Sequence, residues 1–524
     1  MRHRFLVASL LSAAAVSAAS LDTRLVDAAR SKNAATVRTL LQQHLDVNST
    51  AADGATALDW ATHLDDVETA KLLIGAGANV ALPNRYGMTP LMLASTNGNA
   101  AILELLLNAK ADPNTMLPEG ETALMTAART GKVDAVKALL AHGAKVNEAE
   151  KWRGQTALMW AAAEGHVAAV ETLIAAGADI HARSKAGFTP LIFAVREGKS
   201  GVVKALIKAG ADVNETFKSP AGAGRGGIRA TSGSFPGPAN GESVLLMATA
   251  NAHYELAAML LDMGANPNAS EPGWTPLHNI TWVRKLGQGN NSPAPQGSGN
   301  MDSLQFVRYL KAKGANLDAR VTAARKRVGD SALNTLGATA FLLACRSADA
   351  ELMQLLADLG ADTKLPNADG STPLMVAAGL GTRSPTEDAG TEPEAIEAVK
   401  LALKLGNDIN AVDKNGETAM HGAAYKQFPL VAQLLADNGA DIKIWNQKNK
   451  DGWTPLRIAA GVFRTANFRF SDPTADAIRK IMTAGGVSTE LEAYSEPQVG
   501  AERPLPRPPA DAEGQPPRRR PPPQ

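Results

Sequence analysis

The stretch GFTPLIFAVREGKSGVVKALIKAGADVN, residues 187–214, contains the signals that decide the fold. Thr189 is a favourable helix N-cap, and Pro190 suits the first helical position. Gly198 interrupts the chain, and a second segment follows with aliphatic residues at helical spacing. Gly210 fits the left-handed backbone conformation that ends a helix. The stretch therefore predicts two short helices joined by a tight turn.

This helix–turn–helix unit recurs along the chain. The string Gly-x-Thr-(Pro or Ala)-Leu, with near variants, begins at Gly54, Gly87, Gly120, Gly154, Gly187, Gly241, Gly273, Gly337, Gly370, Gly416 and Gly452. Six of the ten gaps are 32 to 34 residues long and the other four are longer, which indicates a unit of about 33 residues with occasional insertions. Residues 21–48 form a degenerate first unit, so we count twelve.

Two kinds of string agree with this period through residues 21–486. One is Thr-Pro-Leu-His-like, as at residues 275–278, and the other is Gly-Ala-Asp-Val-Asn-like, as at residues 210–214. In period and strings the chain resembles the ankyrin repeat family. The family histidine survives as His278 and His421. The resemblance implies an all-α solenoid of helix–turn–helix units joined by β-hairpin turns, about twelve repeats, each contacting only its neighbours.

Composition agrees with one continuous array. A length of 524 residues would ordinarily suggest three or four domains, but the repeat accounts for it as a number of units. Hydrophobic residues make up 45% and aromatic residues only 4%, so Ala and other aliphatic residues must build the core. Lys and Arg total 53 against 52 Asp and Glu. This balance gives no chain-wide electrostatic reason to expect nucleic acid or an anionic membrane as a partner.

The first residues are typical of a targeting segment. A positively charged start is followed by an apolar stretch at residues 5–16 and by small residues suited to cleavage, which predicts a signal peptide over residues 1–19. No other segment is long and apolar enough to span a bilayer. We therefore expect export to the periplasm or the cell exterior. Ala-rich usage suggests a bacterial origin, with a eukaryotic secretory origin as the alternative.

The solenoid is predicted over residues 20–486, with insertions near 215–240, 287–300, 321–336, 379–393 and 462–473. Insertions in repeat arrays often mark a functional face, although Gly/Ser/Pro-rich loops are also simply tolerated. Residues 487–524 are predicted to be a disordered Pro/Arg-rich tail, since ten of the last 28 residues are Pro. The segment 503–509 resembles an SH3 ligand, but a flexible tether is the more ordinary interpretation for an exported protein.

No pattern predicts a catalytic, metal or cofactor site. Residues 222–227 match G-x-G-x-x-G, but the strand and helix that a dinucleotide site requires are missing around them. The nine His are scattered and form no metal-ligand spacing. Cys345, the single cysteine, lies at a small-residue position of a predicted helix and is expected to be a buried thiol. We predict that the chain is not an enzyme and holds no cofactor.

The resemblance implies that an unidentified protein partner binds across the hairpin tips and the exposed face of the first helix of each unit. The candidates at the hairpins are Tyr86, Trp152, Phe188, Trp274 and Trp453. The candidates on the first helices are Arg129, Glu164, Arg196, Arg346 and Tyr425. Phe468, in the last insertion, either binds a partner or covers the end of the stack. Trp60 and Trp160 occupy positions that the family fills with core residues, so we assign them to packing.

Three functions follow from these features. The first is a non-catalytic, monomeric scaffold that binds a protein partner on a rigid surface. The second is an envelope structural protein that attaches through its Pro-rich tail. The third is an enzyme with a site in the inserted loops, which the absence of His and Cys from residues 215–240 and 287–300 disfavours.

Overall fold

The computed structural model describes residues 22–218, 240–270, 273–285, 295–323, 333–382, 389–461 and 471–491. The predicted signal peptide, most of four of the five predicted insertions, residues 383–388 of the insertion at 379–393 and nearly all of the predicted tail lie outside these ranges. Within them, every regular element is a helix. The prediction of an all-α solenoid of about twelve helix–turn–helix units is confirmed, because the helices form twelve pairs.

The first member of each pair is called the inner helix and the second the outer helix. The inner helices are α1 (Arg24–Arg30), α3 (Ala57–His63), α5 (Pro90–Asn97), α7 (Ala123–Arg129), α9 (Ala157–Glu164), α11 (Pro190–Arg196), α13 (Val244–Ala250), α15 (Pro276–Arg284), α17 (Ala340–Arg346), α19 (Pro373–Ala377), α21 (Ala419–Lys426) and α24 (Pro455–Ala459). The outer helices are α2 (Ala34–Gln42), α4 (Val67–Gly75), α6 (Ala100–Asn108), α8 (Val133–Ala141), α10 (Val167–Ala175), α12 (Ser200–Lys208), α14 (Tyr254–Asp262), α16 (Ser303–Ala312), α18 (Ala350–Asp358), α20 (Glu392–Lys404), α22 (Pro429–Asp437) and α25 (Asp472–Ala484). A short helix, α23 (Ile442–Trp445), lies between the last two units.

Local chemistry explains where the inner helices begin and end. The side chain of Thr89 accepts a hydrogen bond from the backbone N–H of Met92, and Pro90 occupies the first turn of α5. Gly98, with φ of 74°, ends the same helix in the left-handed conformation that glycine adopts without strain. Thr156 caps α9 in the same way, and Gly165 ends it. The predicted capping and breaking residues therefore do what the sequence indicated.

Neighbouring units stack through both helices. Inner helices pack on inner helices, as α7 on α9 and α9 on α11, and outer helices on outer helices, as α8 on α10. Every extensive contact between the described helices joins helices of one unit or of adjacent units. Fully buried alanines such as Ala127, Ala161 and Ala194 lie on the inner helices, where a small side chain permits this close approach.

The hairpin turns between units are held to one another by backbone hydrogen bonds. Four of the described hairpins contain single antiparallel bridges, such as the one between Met116 and Thr122, rather than full strands. At the hairpin tips, the N–H of Lys151 donates to the carbonyl of Glu119 at 2.9 Å, and the N–H of Lys185 donates to the carbonyl of Arg153 at 2.8 Å. Successive tips therefore form a row along one edge of the solenoid.

A second row of hydrogen bonds explains why the unit ends in Asn. The Oδ1 of Asn147 accepts from the N–H of Asp179 at 2.8 Å, and its Nδ2 donates to the carbonyl of Gly177 at 3.1 Å. One Asn side chain thereby satisfies two backbone groups at the helix end of the next unit. The residues that accept in the same way elsewhere are Asn48, Asn114, Asn214, Asn268, Asp318 and Asn410.

Candidate functional site

Two hairpin tips carry aromatic side chains that are largely exposed. Tyr86 is 62% exposed and Trp152 is 74% exposed. Each ring is stacked by the arginine next to it in sequence, with the Arg85 guanidinium 4.8 Å from the Tyr86 ring centroid and the Arg153 guanidinium 4.7 Å from that of Trp152. A stacked arginine restricts the ring without covering its whole surface. These two predicted residues are therefore available to a partner.

A buried carboxylate shapes the tip that carries Trp152. Glu150 is buried, and its side-chain oxygens accept from the backbone N–H groups of Trp152 at 2.6 Å, Arg153 at 2.7 Å and Gln155 at 3.0 Å. Burial would raise the pKa of Glu150, but these backbone donors outweigh it and hold the pKa below its usual value. The hairpin here is one residue longer than its neighbours, and the long Glu side chain spans the extra residue.

Three further predicted residues line the same part of the solenoid, on the inner helices. Arg129 is half-buried, pairs with Glu121 at 3.3 Å and lies 5.2 Å from the ring centroid of Trp160. Arg196 is exposed and pairs with the adjacent Glu197 at 2.8 Å. Glu164 is exposed as well. We call units three to six, residues 84–208, the open half of the solenoid, because predicted partner residues remain accessible there.

Two predicted hairpin residues are not at the surface. Trp274 is fully buried, and its Nε1 donates to the carbonyl of Ala323 at 3.0 Å. Phe188 is also buried and packs on Phe217, with the ring centroids 5.1 Å apart. Their assignment to an exposed tip is corrected, and the reason is positional. A residue directly after the hairpin glycine turns inward under the tip, whereas Tyr86 and Trp152 precede the glycine and point outward.

The remaining predicted residues are engaged by the protein itself. The Arg346 guanidinium lies 4.4 Å from the ring centroid of Trp282. Tyr425 is buried rather than exposed, because its hydroxyl donates to Glu417 at 2.8 Å and accepts from Asn449 at 3.0 Å. Burial also raises the pKa of the Tyr425 hydroxyl above its ordinary value. Trp453 is half-buried.

Phe468 lies outside the described residues. The assignment of Trp60 and Trp160 to packing is confirmed, since both rings are partly buried and pack against the core.

The described ends of the insertions pack back on neighbouring units. Lys426 donates to the carbonyl of Ala389 at 3.0 Å, and Lys285 donates to the Glu394 carboxylate at 2.7 Å and to the carbonyl of Ala348 at 3.1 Å. The cavity that these segments enclose has room for about one water molecule. We call units eight to eleven, residues 273–437, the covered half, because these contacts join the described insertion ends to the ends of inner helices and to the helix–helix turns there.

The end of insertion 287–300 contacts unit seven, which lies between the two halves. The N–H of Ser298 donates to Nδ1 of His253 at 3.0 Å, while Nε2 of His253 donates to the carbonyl of Arg196 at 3.1 Å. The N–H of Asn300 donates to Glu255 at 2.6 Å. Burial lowers the pKa of His253, and both ring nitrogens are used by a neutral imidazole. Insertion 287–300 is therefore attached to the preceding unit.

A partly buried ion network that the sequence did not reveal joins units eight and nine. The Arg284 guanidinium contacts Asp349 at 2.7 and 3.2 Å, Glu351 at 2.9 Å and the Ser303 hydroxyl at 2.6 Å. The Asp349 side chain is almost completely buried and also caps α18. Arg284 and Asp349 are 65 positions apart, and their spacing in the sequence gives no signal of pairing.

A second unanticipated group is a buried carboxyl in unit two. Asp59 occupies the position that holds His278 and His421 in their units, three residues after the N-cap threonine. Its Oδ2 accepts from the N–H of Thr56 at 2.8 Å and from the Thr56 hydroxyl at 2.9 Å. Its Oδ1 is buried without a hydrogen-bond partner. Burial raises the pKa of Asp59 to about 6.

The described residues were considered as possible nucleophiles, metal ligands and membrane-spanning helices. Cys345 is fully buried, as predicted, and burial raises the pKa of its thiol well above the usual range. Across the described ranges, no three His, Cys, Asp or Glu side chains are grouped so that they could hold a metal ion. In the same part of the chain, none of the helices combines the length and the apolar character that crossing a membrane requires.

Comparison with known proteins identifies the repeated unit. The family model of ankyrin repeats in three copies matches residues 25–117, 91–184 and 389–467, and that of the single ankyrin repeat matches residues 186–217 and 240–271. Together these matches cover more than half of the chain.

Similar proteins come from distant organisms. The putative ankyrin repeat protein YahD of Escherichia coli (strain K12) is 30% identical over 106 residues, which are 20% of this chain and 53% of that protein. The tyrosine-protein kinase HTK16 of Hydra vulgaris is 33% identical over 135 residues, 24% of this chain and 17% of the kinase. The human transient receptor potential cation channel subfamily A member 1 is 34% identical over 100 residues, 19% of this chain and 9% of the channel. The chain thus spans about half of YahD and less than a fifth of the other two.

Proposed function

This chain belongs to the ankyrin repeat family, and we propose from that premise that it is a non-catalytic scaffold that binds a protein partner on its open half, residues 84–208. Protein binding is what ankyrin repeats generally imply. The observation that carries the choice of surface is the contrast between the two halves. Trp152 and Tyr86 are largely exposed at the tips of the open half, whereas Trp274 and Tyr425, the predicted aromatic residues of the covered half, are buried.

The open half suits rigid recognition. Binding costs conformational entropy whenever loops and side chains must be ordered, so a surface that is already ordered loses less free energy on binding. The tips are linked by backbone hydrogen bonds, and Glu150 fixes the turn below Trp152. The scaffold presents its exposed aromatic residues without rearrangement.

Capture from the native host tests this proposal. The full chain is used as bait with a photoactivatable crosslinker, alongside the double variant Trp152→Ala/Arg196→Ala. A matched control removes two exposed apolar side chains outside the open half, Val412→Ala/Leu430→Ala, which are 53% and 59% exposed in the wild type. We expect the first variant to lose the partner and the control to retain it. If both variants retain every partner, the open half is not the binding surface.

Export is part of the same proposal and rests on the sequence of residues 1–19. Expression of the full chain in a bacterial host should yield a mature protein outside the cytoplasm whose N-terminus lies at residue 19 or 20. Deletion of residues 2–18 should retain the protein in the cytoplasm. An unprocessed wild-type chain found with the cytoplasmic fraction would contradict export.

The tail supports a second, compatible function as a tether. Its composition, with ten Pro and the cluster Arg518 to Arg520, favours an extended chain that contacts anionic envelope material. A chain that lacks residues 497–524 should be released from the envelope fraction and keep its protein partner. If the shortened chain stays in the envelope fraction, attachment does not depend on the tail.

A further inference from the structure

The tips of units five and six combine one exposed ring with three cations. Lys151, Trp152 and Arg153 form the tip of unit five, and Lys185 lies on the adjacent tip of unit six. We infer that this surface binds an extended acidic peptide segment of the partner, which packs an apolar side chain on Trp152 and places carboxylates on the three cations. The inference rests on the proposed scaffold function and specifies the chemistry of the partner.

The two lysines of this patch are held by carbonyl groups rather than by ion pairs. Among the described residues, neither Lys151 nor Arg153 nor Lys185 pairs with a carboxylate. The Lys151 ammonium donates to the carbonyl of Pro118 at 3.3 Å, and the Lys185 ammonium donates to the carbonyl of Lys151. Carbonyl contacts fix the positions of the two ammonium groups, and the single buried carboxylate beside them, Glu150, whose pKa Lys185 helps to lower, offsets only part of the positive charge of the three cations. A partner that brings carboxylates supplies the missing charge.

The nearby carboxylate cannot take that place. Glu150 is turned beneath the tip, where it accepts hydrogen bonds from the N–H groups of Trp152, Arg153 and Gln155. Its carboxylate oxygens are bonded to the backbone N–H groups of the turn, and its side chain is buried. The tip therefore presents an exposed Trp152 ring beside cations on an ordered turn, and Trp and Arg are residue types that are enriched among binding hot spots.

The spacing of the tips indicates an extended segment rather than a single residue. Tyr86 with Arg85 forms a similar, smaller tip two units away. Packed helices lie roughly 8–10 Å apart, so the two rings are about 16–20 Å from each other. An extended peptide advances about 3.3 Å per residue and bridges that distance with five or six residues. The intervening tip carries Glu119, which disfavours a carboxylate at the middle of the segment.

A peptide titration with the full chain tests the inference. The probe is a fluorescein-labelled twelve-residue peptide with two leucines six residues apart, glutamates beside each leucine and uncharged residues between. Its counterpart carries lysine at every glutamate position. Binding is followed by fluorescence anisotropy at two salt concentrations, since exposed charge pairs weaken as ionic strength rises. We expect the wild type to bind the acidic peptide, more weakly at high salt, and to bind the lysine peptide at least tenfold more weakly.

Variants separate this patch from general charge attraction. Lys151→Glu/Lys185→Glu and Trp152→Ala should each weaken binding of the acidic peptide at least tenfold. The matched control, Lys414→Glu/Lys450→Glu, reverses the same charge at the tips of units eleven and twelve and should leave the affinity within twofold. Equal losses in the control, or unchanged binding in Trp152→Ala, would mean that the peptide reports only overall charge, and the inference would be overturned. Circular dichroism of each variant verifies that the helices are retained.

The captured partner distinguishes this inference from the proposed function. If a partner is captured through the open half but is insensitive to Lys151→Glu/Lys185→Glu and to the acidic peptide, only the inference fails. If Trp152→Ala/Arg196→Ala captures the partner as well as the wild type does, the proposed function fails. A second copy of this chain recovered as the partner would also overturn the acidic-segment inference, and size-exclusion chromatography of the wild type reveals that case.

Discussion

Raising the pH from 4 to 8 should destabilise the second unit, because Asp59 is buried there. The side chain is 3% exposed, and only one of its two oxygens accepts hydrogen bonds. Burial raises the pKa of this carboxyl from 3.8 to about 6. The folded chain therefore prefers the protonated form. The stabilisation that proton binding by Asp59 gives to the folded chain is fully present below pH 3.8 and is lost as the pH rises through 6.

The size of the effect follows from the two pKa values. A tenfold difference in proton affinity corresponds to about 1.4 kcal/mol, so ionised Asp59 costs the folded chain about 3 kcal/mol at pH 8. Asp59→Asn keeps the shape of the side chain and cannot ionise. Because the unfolded carboxyl is already partly ionised at pH 4, the free energy of unfolding of the variant, relative to the wild type, should grow by about 2.5 kcal/mol between pH 4 and pH 8.

Urea denaturation at several pH values provides the comparison, with hydrogen exchange of the amides in α3 (Ala57–His63) as a local probe of the same unit. Asp134→Asn, which replaces an exposed carboxyl on α8, serves as the control and should show no such trend. If the difference between the wild type and Asp59→Asn is the same at pH 4 and pH 8, the buried carboxyl does not titrate as described and the reasoning is refuted.

Three residues, two of them with a comparison residue, give further predictions about stability. Asn147→Ala removes two hydrogen bonds to the next unit and should cost about 1–3 kcal/mol in urea denaturation, whereas Asn108→Ala, at an exposed helix end, should cost less than about 1 kcal/mol. Trp274→Ala should cost about 3–5 kcal/mol because the ring is fully buried, and Trp152→Ala should stay within about 0.5 kcal/mol; similar melting temperatures for the two would contradict their placement. Asp349→Ala leaves a partly buried guanidinium without its main partner and should cost about 3–5 kcal/mol, and a loss below 1 kcal/mol would show that the network is not stabilising.

The sequence was sufficient to predict the repeated unit, because each unit has its own local signals. Thr189 and Pro190 begin α11, and the equivalent residues begin a helix where the string recurs. A glycine, such as Gly98 in α5, ends the helix. These signals act through the backbone of a few adjacent residues and do not depend on distant contacts. The number of units and the order of the helices could therefore be predicted before the structure.

The orientation of single side chains could not be predicted in the same way. Trp152 and Trp274 both flank a hairpin glycine, yet one is exposed and the other buried. The difference depends on whether the residue precedes or follows the glycine, and on the next hairpin, whose Ala323 carbonyl accepts from the Trp274 indole. Composition and period do not carry that information.

The contacts of the covered half could not be predicted from the sequence either. The pairing of Lys285 with Glu394 joins residues 109 positions apart, and no periodic pattern links them. The same holds for the contact of Ser298 with His253. The positions that are exposed in the ankyrin family predict Arg346 and Tyr425 as partner-facing. In the structure Arg346 stacks on Trp282, and Tyr425 is buried with its hydroxyl bonded to Glu417.

Hydrogen–deuterium exchange of the full chain, with and without its captured partner, tests most directly whether recognition occurs on the open half. We predict slower exchange at the tips that carry Tyr86 and Trp152 and at the inner helices α7, α9 and α11, with no change in α17, α19 and α21. Protection confined to the covered half, residues 273–437, with unchanged exchange around Trp152, would contradict the account.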